Sequence, residues 1–308
     1  WNLNLTGRDP FEMVQAAVRN LDKPLYLSHN NVIVFGRKAA ESGLRNYLDF
    51  FLRDYETRLS VPLMIAADSA EEVLSVEPQL DSIGAQTLKS LSEIQSFNAQ
   101  SVNTTVFAFA GNLESAKKAT LIPLVKVEGE EEEKHNKIVG AAVFREDVMV
   151  GEFTPEEVRG VLWVTGQVQN GAVHAKTENG EISVKTMEAS AKHKFEFQED
   201  GRLIITLEIK QTGILGSTDG SGGYANEQNM RKIQEAVAKE IKTEVEKARK
   251  KSAALNTDVY GFGDEIRRKY PARWKQLSEN WDEIFRNIRL ECNVTVTVQS
   301  TGTMVGTV

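Results

Sequence analysis

The sequence predicts an α+β fold, and three observations predict it. Short apolar strand-like runs alternate with amphipathic helical stretches as far as Phe153. Beyond Thr154 the texture changes to β-meander material punctuated by Asn170-Gly171 and Asn179-Gly180, the dipeptides of tight hairpin turns. One long, highly charged helix with a narrow apolar stripe, from about Asn226 to Leu255, then precedes a strictly alternating run, Asn293 to Val298.

Taken in order, the first segment reads as a strand, a helix and a second strand. Asp9-Pro10 is a helix start with proline in the first turn, and Phe11, Val14, Val18 and Leu21 follow at helical spacing. Pro24 stops that helix, Leu25 to Phe35 is β-rich, and after Gly36 a helix runs from about Lys38 to Asp54 with Leu44, Leu48 and Phe51 on one face. A second unit opens near Leu59. In it, Ser60 to Ala67 is a short strand, and Ser69 caps a helix with Glu71 and Glu72 at the positive end of its dipole. Gln79 to Phe97 and Val102 to Leu113 read as helices, and Ala119 to Val127 as a strand. The acidic run Glu128 to Glu133 is a solvated hairpin loop, followed by strands at Ile138 to Phe144 and Val148 to Phe153.

Thr154-Pro155-Glu156-Glu157 is a helix-start signal and a boundary. After it, Val161 to Val168, Ala172 to Thr177, Glu181 to Glu188 and Leu203 to Lys210 read as strands, the last with Leu203, Ile205, Leu207 and Ile209 on one face. The glycine-rich stretch Gly213 to Gly223 is a flexible loop. It lacks the Gly-Lys-Ser/Thr that a phosphate-binding loop requires. In the long helix Met230, Ile233, Val237, Ile241, Val245 and Ala248 step by three or four.

The 308 residues carry 37 Lys and Arg against 44 Asp and Glu, a net charge of -7, which argues against nucleic acid as the main partner. A local basic patch for a membrane surface stays compatible with that balance. The single cysteine, Cys292, excludes an internal disulfide framework and a multi-cysteine zinc site, and reads as a buried small hydrophobe. No run approaches the roughly 20 apolar residues of a membrane-spanning helix. The chain opens at Trp1 without initiator methionine or signal peptide, as a processed or trimmed product does.

No catalytic constellation stands out. His29, His135, His174 and His193 are scattered with no ligand spacing, a serine-hydrolase elbow is absent, and no carboxylate pair is singled out. The expectation is therefore no catalytic residue, no cofactor and no metal. The informative stretch is Asp258 to Phe285. Gly261 and Gly263 permit a tight turn presenting Phe262, and Asp264 and Glu265 open a helix that ends in Arg267, Arg268 and Lys269. Tyr270 and the helix-breaking Pro271 follow, and Trp274, Leu277, Trp281 and Ile284 or Phe285 line one face of the next helix. Either both tryptophans anchor that helix on the sheet, or an exposed tryptophan marks a docking surface for a protein partner. As candidate partner contacts we single out Phe262, Arg267, Arg268, Tyr270, Trp274 and Trp281, together with the exposed side of the 226–255 helix.

Three blocks carry a family resemblance. LYLSHNNVIVFGRKAAESGLRNYLDFFLRD (Leu25 to Asp54), GAAVFREDVMVGEFTPEEVRGVLWVTG (Gly140 to Gly166) and DVYGFGDEIRRKYPARWKQLSENWDEIF (Asp258 to Phe285) occur in order. From about Gly7 to Gly302 the chain resembles the Ger(x)C family, the C-subunit lipoproteins of bacterial spore nutrient germinant receptors. The resemblance implies three mixed α/β domains, each a β-sheet packed with helices, at 1–58, 59–153 and 154–308, the last the largest with an antiparallel sheet and the long helix. It implies a non-enzymatic subunit, lipid-anchored on the outer face of the spore inner membrane, acting with a membrane-embedded A subunit and a transporter-like B subunit in nutrient-triggered germination. Family chains begin with a lipobox cysteine, commonly followed by Trp and a β-rich segment ahead of a Gly-x-x-x-Phe-Glu region. Here Trp1 lies only six residues before Gly7 of that region, so the expectation is either that the segment is missing or that the numbering has closed over it, and the anchoring cysteine is not in this chain. The alternative is an extracytoplasmic solute-binding lipoprotein that captures the germinant in a pocket with convergent polar groups. A hydrolytic enzyme is a third, less favoured reading.

Overall fold

The computed structural model describes residues 3–21, 25–78, 83–115, 117–199, 202–218 and 227–299. They form two compact units, residues 1–93 with 102–152, and residues 94–101 with 153–308. The chain passes between the units at Glu152/Phe153, and the paired strands Ile33–Gly36 and Leu63–Ala66 both lie in the first.

Unit 1 begins with α1 (Pro10–Ala17), whose N-cap Asp9 accepts from Glu12 N, and β1 (Ile33–Gly36). The β-rich stretch expected from Leu25 starts instead with a 3-10 turn, Leu27–His29, closed by Asn30 N donating to Leu27 O. The single helix expected over 38–54 is two, α2 (Arg37–Ser42) and α3 (Arg45–Arg53). Gly43 separates them at φ 107, a conformation that denies a side chain and ends the first helix. Next come β2 (Leu63–Ala66), α4 (Ala70–Ser75) capped by Ser69, α5 (Gly84–Glu93), the short α6 (Gln95–Asn98, assigned to unit 2) and α7 (Val106–Leu113) capped by Thr105. Residues 79–82 of the expected 79–97 helix lie outside the described residues.

The sheet is completed by β3 (Thr120–Glu128), β4 (His135–Arg145) and β5 (Val148–Phe153), in spatial order β1-β2-β3-β4-β5. The first three strands pair in parallel and β3 with β4 antiparallel, the acidic run turning the hairpin as expected. All four residues of β2 are buried because helices cover both faces. One face packs Phe35, Leu44, Leu48, Ile65, Phe109 and Phe144, and the other Met64, Val73, Leu88 and Val125.

Unit 2 is built on α8 (Pro155–Thr165), β6 (Ala172–Thr177), β7 (Gly180–Phe197), β8 (Leu203–Thr218) and α9 (Glu227–Leu255). After these come α10 (Phe262–Lys269), α11 (Pro271–Leu277), α12 (Trp281–Asn287) and β9 (Arg289–Gln299). The strand expected over Val161 to Val168 is helix. A capping box between Thr154 and Glu157, Pro155 in the first turn and Gly166 in the left-handed conformation at the far end fix α8, and these terminal signals override the strand preference of its valines. The glycine-rich loop is shorter than expected, since Gly213 to Thr218 continue β8; residues 219–223 lie outside the described residues. In the sheet β6-β7-β8-β9 the first three strands pair antiparallel, as expected, and β9 joins β8 in parallel because α9 to α12 carry the chain back to the starting end of β8. The expected stripe of α9 is its buried face, with Ile233, Val237, Ile241, Val245 and Ala248 enclosed and Met230 half-buried.

Candidate functional site

The Asp258 to Phe285 region is organised around one buried carboxylate. Asp258 Oδ1 accepts from Gly261 N (2.9 Å) and Phe262 N (3.1 Å), and Oδ2 from Gly263 N (2.8 Å). These are the backbone donors at the start of α10, where a helix attracts negative charge. Gly261 sits at φ 75, which lets the chain fold back so that all three amides face one side chain. Complete burial pushes the Asp258 carboxyl up to about 6, held from going further by those amide donors.

Phe262 follows directly and is fully buried. Its ring meets Tyr260 at 5.0 Å, His193 edge-on at 5.3 Å and Phe195 at 6.2 Å. A side chain on Gly263 would reach Trp274 Cη2 and Trp281 Nε1 at 3.0 Å, so both indoles press against this glycine. The two indole rings lie 5.3 Å apart and edge-on, and Trp281 continues to Phe285 at 6.3 Å. The helix expected to carry both tryptophans is interrupted by a 3-10 turn, Ser278–Asn280, yet both indoles still point inward.

Phe262, Trp274 and Trp281 are thus anchors of α10 to α12, while Arg267, Arg268 and Tyr270 are exposed. Arg267 lies 3.5 Å from Asp264, and Lys269 is paired with Glu265 at 2.7 Å. Tyr270 rests edge-on against Phe197 at 5.3 Å, and Arg273 stands 5.8 Å over the same ring. Arg267, Arg268, Lys269 and Arg273 thus make a run of exposed basic residues, a basic ridge, beside Tyr270.

Two further residues, Arg249 and His193, position this region without any local sequence signal. Arg249 of α9 donates through Nη2 to the carbonyls of Phe285 (2.9 Å), Arg286 (3.0 Å) and Ile288 (3.0 Å), placing a cation at the negative end of α12. His193 of β7 lies 2.8 Å from Glu265 Oε2 through Nδ1 and 2.7 Å from Val164 O through Nε2. Both partners only accept, so both ring nitrogens carry hydrogen and His193 is an imidazolium. Burial works against that charge, but the bonds to Glu265 and Val164 raise the His193 pKa above its ordinary value. Burial likewise opposes ionisation of Glu265, and the donors His193 and Lys269 outweigh it, lowering Glu265 to about 2.

Arg159 and Glu244 form a buried ion pair between α8 and α9. Arg159 donates from Nε (2.9 Å) and Nη2 to the two oxygens of Glu244 and from Nη1 to Ala172 O (2.8 Å), and Trp163 Nε1 donates to Glu244 at 2.9 Å. The helices approach closely because Gly160 lies against the Glu244 carbonyl, leaving no room for a side chain.

Cys292 faces a half-buried position on β9 whose burial pushes its thiol up to about 11, so it stays protonated and unreactive. Among the described residues no group of three or more His, Cys, Asp or Glu is arranged to hold a metal, and no helix is long and apolar enough to cross a membrane.

Two family models match the chain. A spore germination protein N-terminal domain spans residues 3–127, and a C-terminal domain described as spore germination B3/GerAC like spans residues 139–302. The chain belongs to the Ger(x)C family of spore germination proteins. The Ger(x)C relatives include the putative spore germination protein YfkR of Bacillus subtilis (strain 168), 22% identical over 94% of this chain and 76% of its own length. Spore germination protein KC of the same organism is 23% identical over 91% of this chain and 73% of its own length. The crystal structure of the GerBC protein has the same fold, with a TM-score of 0.69 at 21% identity over 92% of this chain and 82% of that one. The C-terminal family match contains the whole aromatic cluster together with Arg159, His193, Glu244 and Arg249.

Proposed function

We propose that this chain is the non-enzymatic C subunit of a spore nutrient germinant receptor, held at the outer face of the spore inner membrane by a lipid anchor outside this sequence. It works beside membrane-embedded A and B subunits in assembly or signal transmission. A diacyl anchor contributes about 0.8 kcal/mol per buried methylene, enough to hold a body of this size at a bilayer. The observation that carries the reading is the pair of family matches covering residues 3–127 and 139–302. The conspicuous aromatic and charged groups support it, since they are engaged in holding helices together rather than converging on an open reaction centre.

Within the C-terminal region the contact surface is the exposed basic ridge of Arg267, Arg268 and Tyr270, steadied from below by Phe262, Trp274 and Trp281. Rim charges of this kind set the rate and orientation of encounter with an acidic partner surface. The test is co-purification of the A and B subunits from membranes carrying an Arg267→Glu/Arg268→Glu chain. Reduced recovery and slowed nutrient-triggered germination, at unchanged chain abundance, are expected. Normal assembly and normal germination refute the ridge as the contact surface.

A further inference from the structure

At the amino-terminal ends of β1 and β2 in unit 1 lies a cavity of about 320 Å³, at the small end of the range for ligand pockets. Two backbone turns frame it. One is the 3-10 turn Leu27–His29, closed by Asn30 N donating to Leu27 O, with Asn30 Oδ1 then accepting from Val32 N at 3.2 Å. The other is the entry to β2, where Val61 N donates to Arg58 O (3.1 Å) and Pro62 O accepts from Ile33 N (3.0 Å). The backbones of the two turns are thereby tied to each other through adjacent parallel strands.

Arg58, Lys89, His29, Ser28, Ser60 and Asn31 supply the polar wall, and among the described residues no carboxylate lines it, in a chain whose net charge is -7. Among the described residues the side chains of Arg58, Ser28, Ser60 and Asn31 have no hydrogen-bond or ion-pair partner. Lys89 makes only a long, exposed contact of 3.9 Å with Glu93. Arg37, at the other end of β1, is by contrast bonded to Ala67 O and Glu152. Unpartnered donors converging with two cations on one preformed hollow have the complement of an oxyanion: the Arg58 guanidinium offers a fork for two oxygens, Lys89 a point charge, and the hydroxyls and amide bonds for neighbouring polar groups.

We propose that this cavity is a binding site for a small oxyanion, a carboxylate or phosphate group carried either by a free solute or by an anionic lipid headgroup. Arg58 is its principal ligand and Lys89 supplies the second charge. The site is independent of the receptor-subunit reading, because it rests only on the geometry of unit 1.

The test is nuclear magnetic resonance of the full chain, following the amides of Ser28 to Asn31 and Ser60. Acetate, inorganic phosphate and glycerol 3-phosphate are titrated separately, as are phosphatidylglycerol vesicles against phosphatidylcholine vesicles. Saturable shifts confined to these residues are expected with at least one anionic probe. A soluble probe assigns the site to a free solute, whereas response to phosphatidylglycerol alone assigns it to a headgroup. Arg58→Gln should weaken binding by about tenfold or more, as loss of a charge-assisted hydrogen bond does, and Arg58→Gln/Lys89→Gln should abolish it. Both side chains are exposed, so the variants keep the fold, and their undisturbed spectra elsewhere confirm it. Absence of localised saturable shifts with every probe, or equal affinity in Arg58→Gln, overturns the proposal.

Discussion

A Glu244→Ala substitution removes one carboxylate and strands the Arg159 guanidinium, whose side chain is 8% exposed, in the interior of unit 2. Glu244 itself is 1% exposed, and it takes two bonds from Arg159 and one from Trp163. Deleting one partner of such a pair costs about 3–5 kcal/mol, most of it the penalty of an uncompensated buried charge. For a cooperative unit of this size that corresponds to a melting temperature lower by roughly 6–20 °C. Three of the four tryptophans, Trp163, Trp274 and Trp281, belong to unit 2, so in a Trp1→Phe background urea unfolding followed by tryptophan fluorescence reads this unit selectively. The partner experiment is Arg159→Met/Glu244→Leu, which replaces both charges with apolar volume. It leaves only Trp163 Nε1 and Ala172 O without their bonds, so it should recover to within about 2 kcal/mol of the parent. A thermodynamic cycle built from Arg159→Met, Glu244→Leu and the double variant should then show clear coupling. A Glu244→Ala chain within about 1 kcal/mol of the parent, or a cycle that is simply additive, would refute the assignment of the pair as a buried, mutually dependent unit.

Gly160→Ala should destabilise unit 2 by more than about 3 kcal/mol in the same urea assay, although alanine is the better helix former, because its methyl group meets the Glu244 backbone carbonyl and Ala248. For His193 the folded pKa is raised, so its stabilisation is complete below about 6.5 and is lost as pH rises through the folded value; the parent and His193→Gln should converge in stability as the solution becomes alkaline. Glu265 has the opposite sign: its contribution is present above about 4.5 and disappears as pH falls towards 2, so Glu265→Gln and the parent should converge in acid unfolding curves. Asp258→Ala should free the amides of Gly261, Phe262 and Gly263 and loosen α10, which hydrogen exchange of those three amides would report as faster opening.

The elements most legible in the sequence were those with a long period or a complete cap. The buried face of α9 follows its spacing of Ile233, Val237, Ile241 and Val245, and Ser69 caps α4 as its position predicts. Where strand-forming valines and a complete capping box competed, at Val161 to Val164, the ends of the segment decided and the residue preference misled. The basic ridge and the aromatic anchors were visible as one stretch, but which of them face outward depends on Gly263 and on the sheet behind it. Arg159 with Glu244, and His193 with Glu265, could not be paired from sequence, since each partner lies on a different element and no local pattern links them. The oxyanion cavity was hidden for the same reason. Ser28 and Arg58 meet because β1 and β2 run side by side, and Lys89 joins them from α5.

The parallel docking of β9 also bears on how unit 2 comes into being. Ile204 pairs with Arg289 and Ile214 with Gln299, so every rung of that ladder closes a loop containing the whole of α9 to α12. Until those four helices are in place, the far edge of β8 presents an open row of amides and carbonyls, a template for pairing with another chain. The β7–β8 hairpin can form early, but closing so large a loop comes late and slowly. Newly made chains are therefore most prone to self-association in the interval before the helices lay β9 alongside β8.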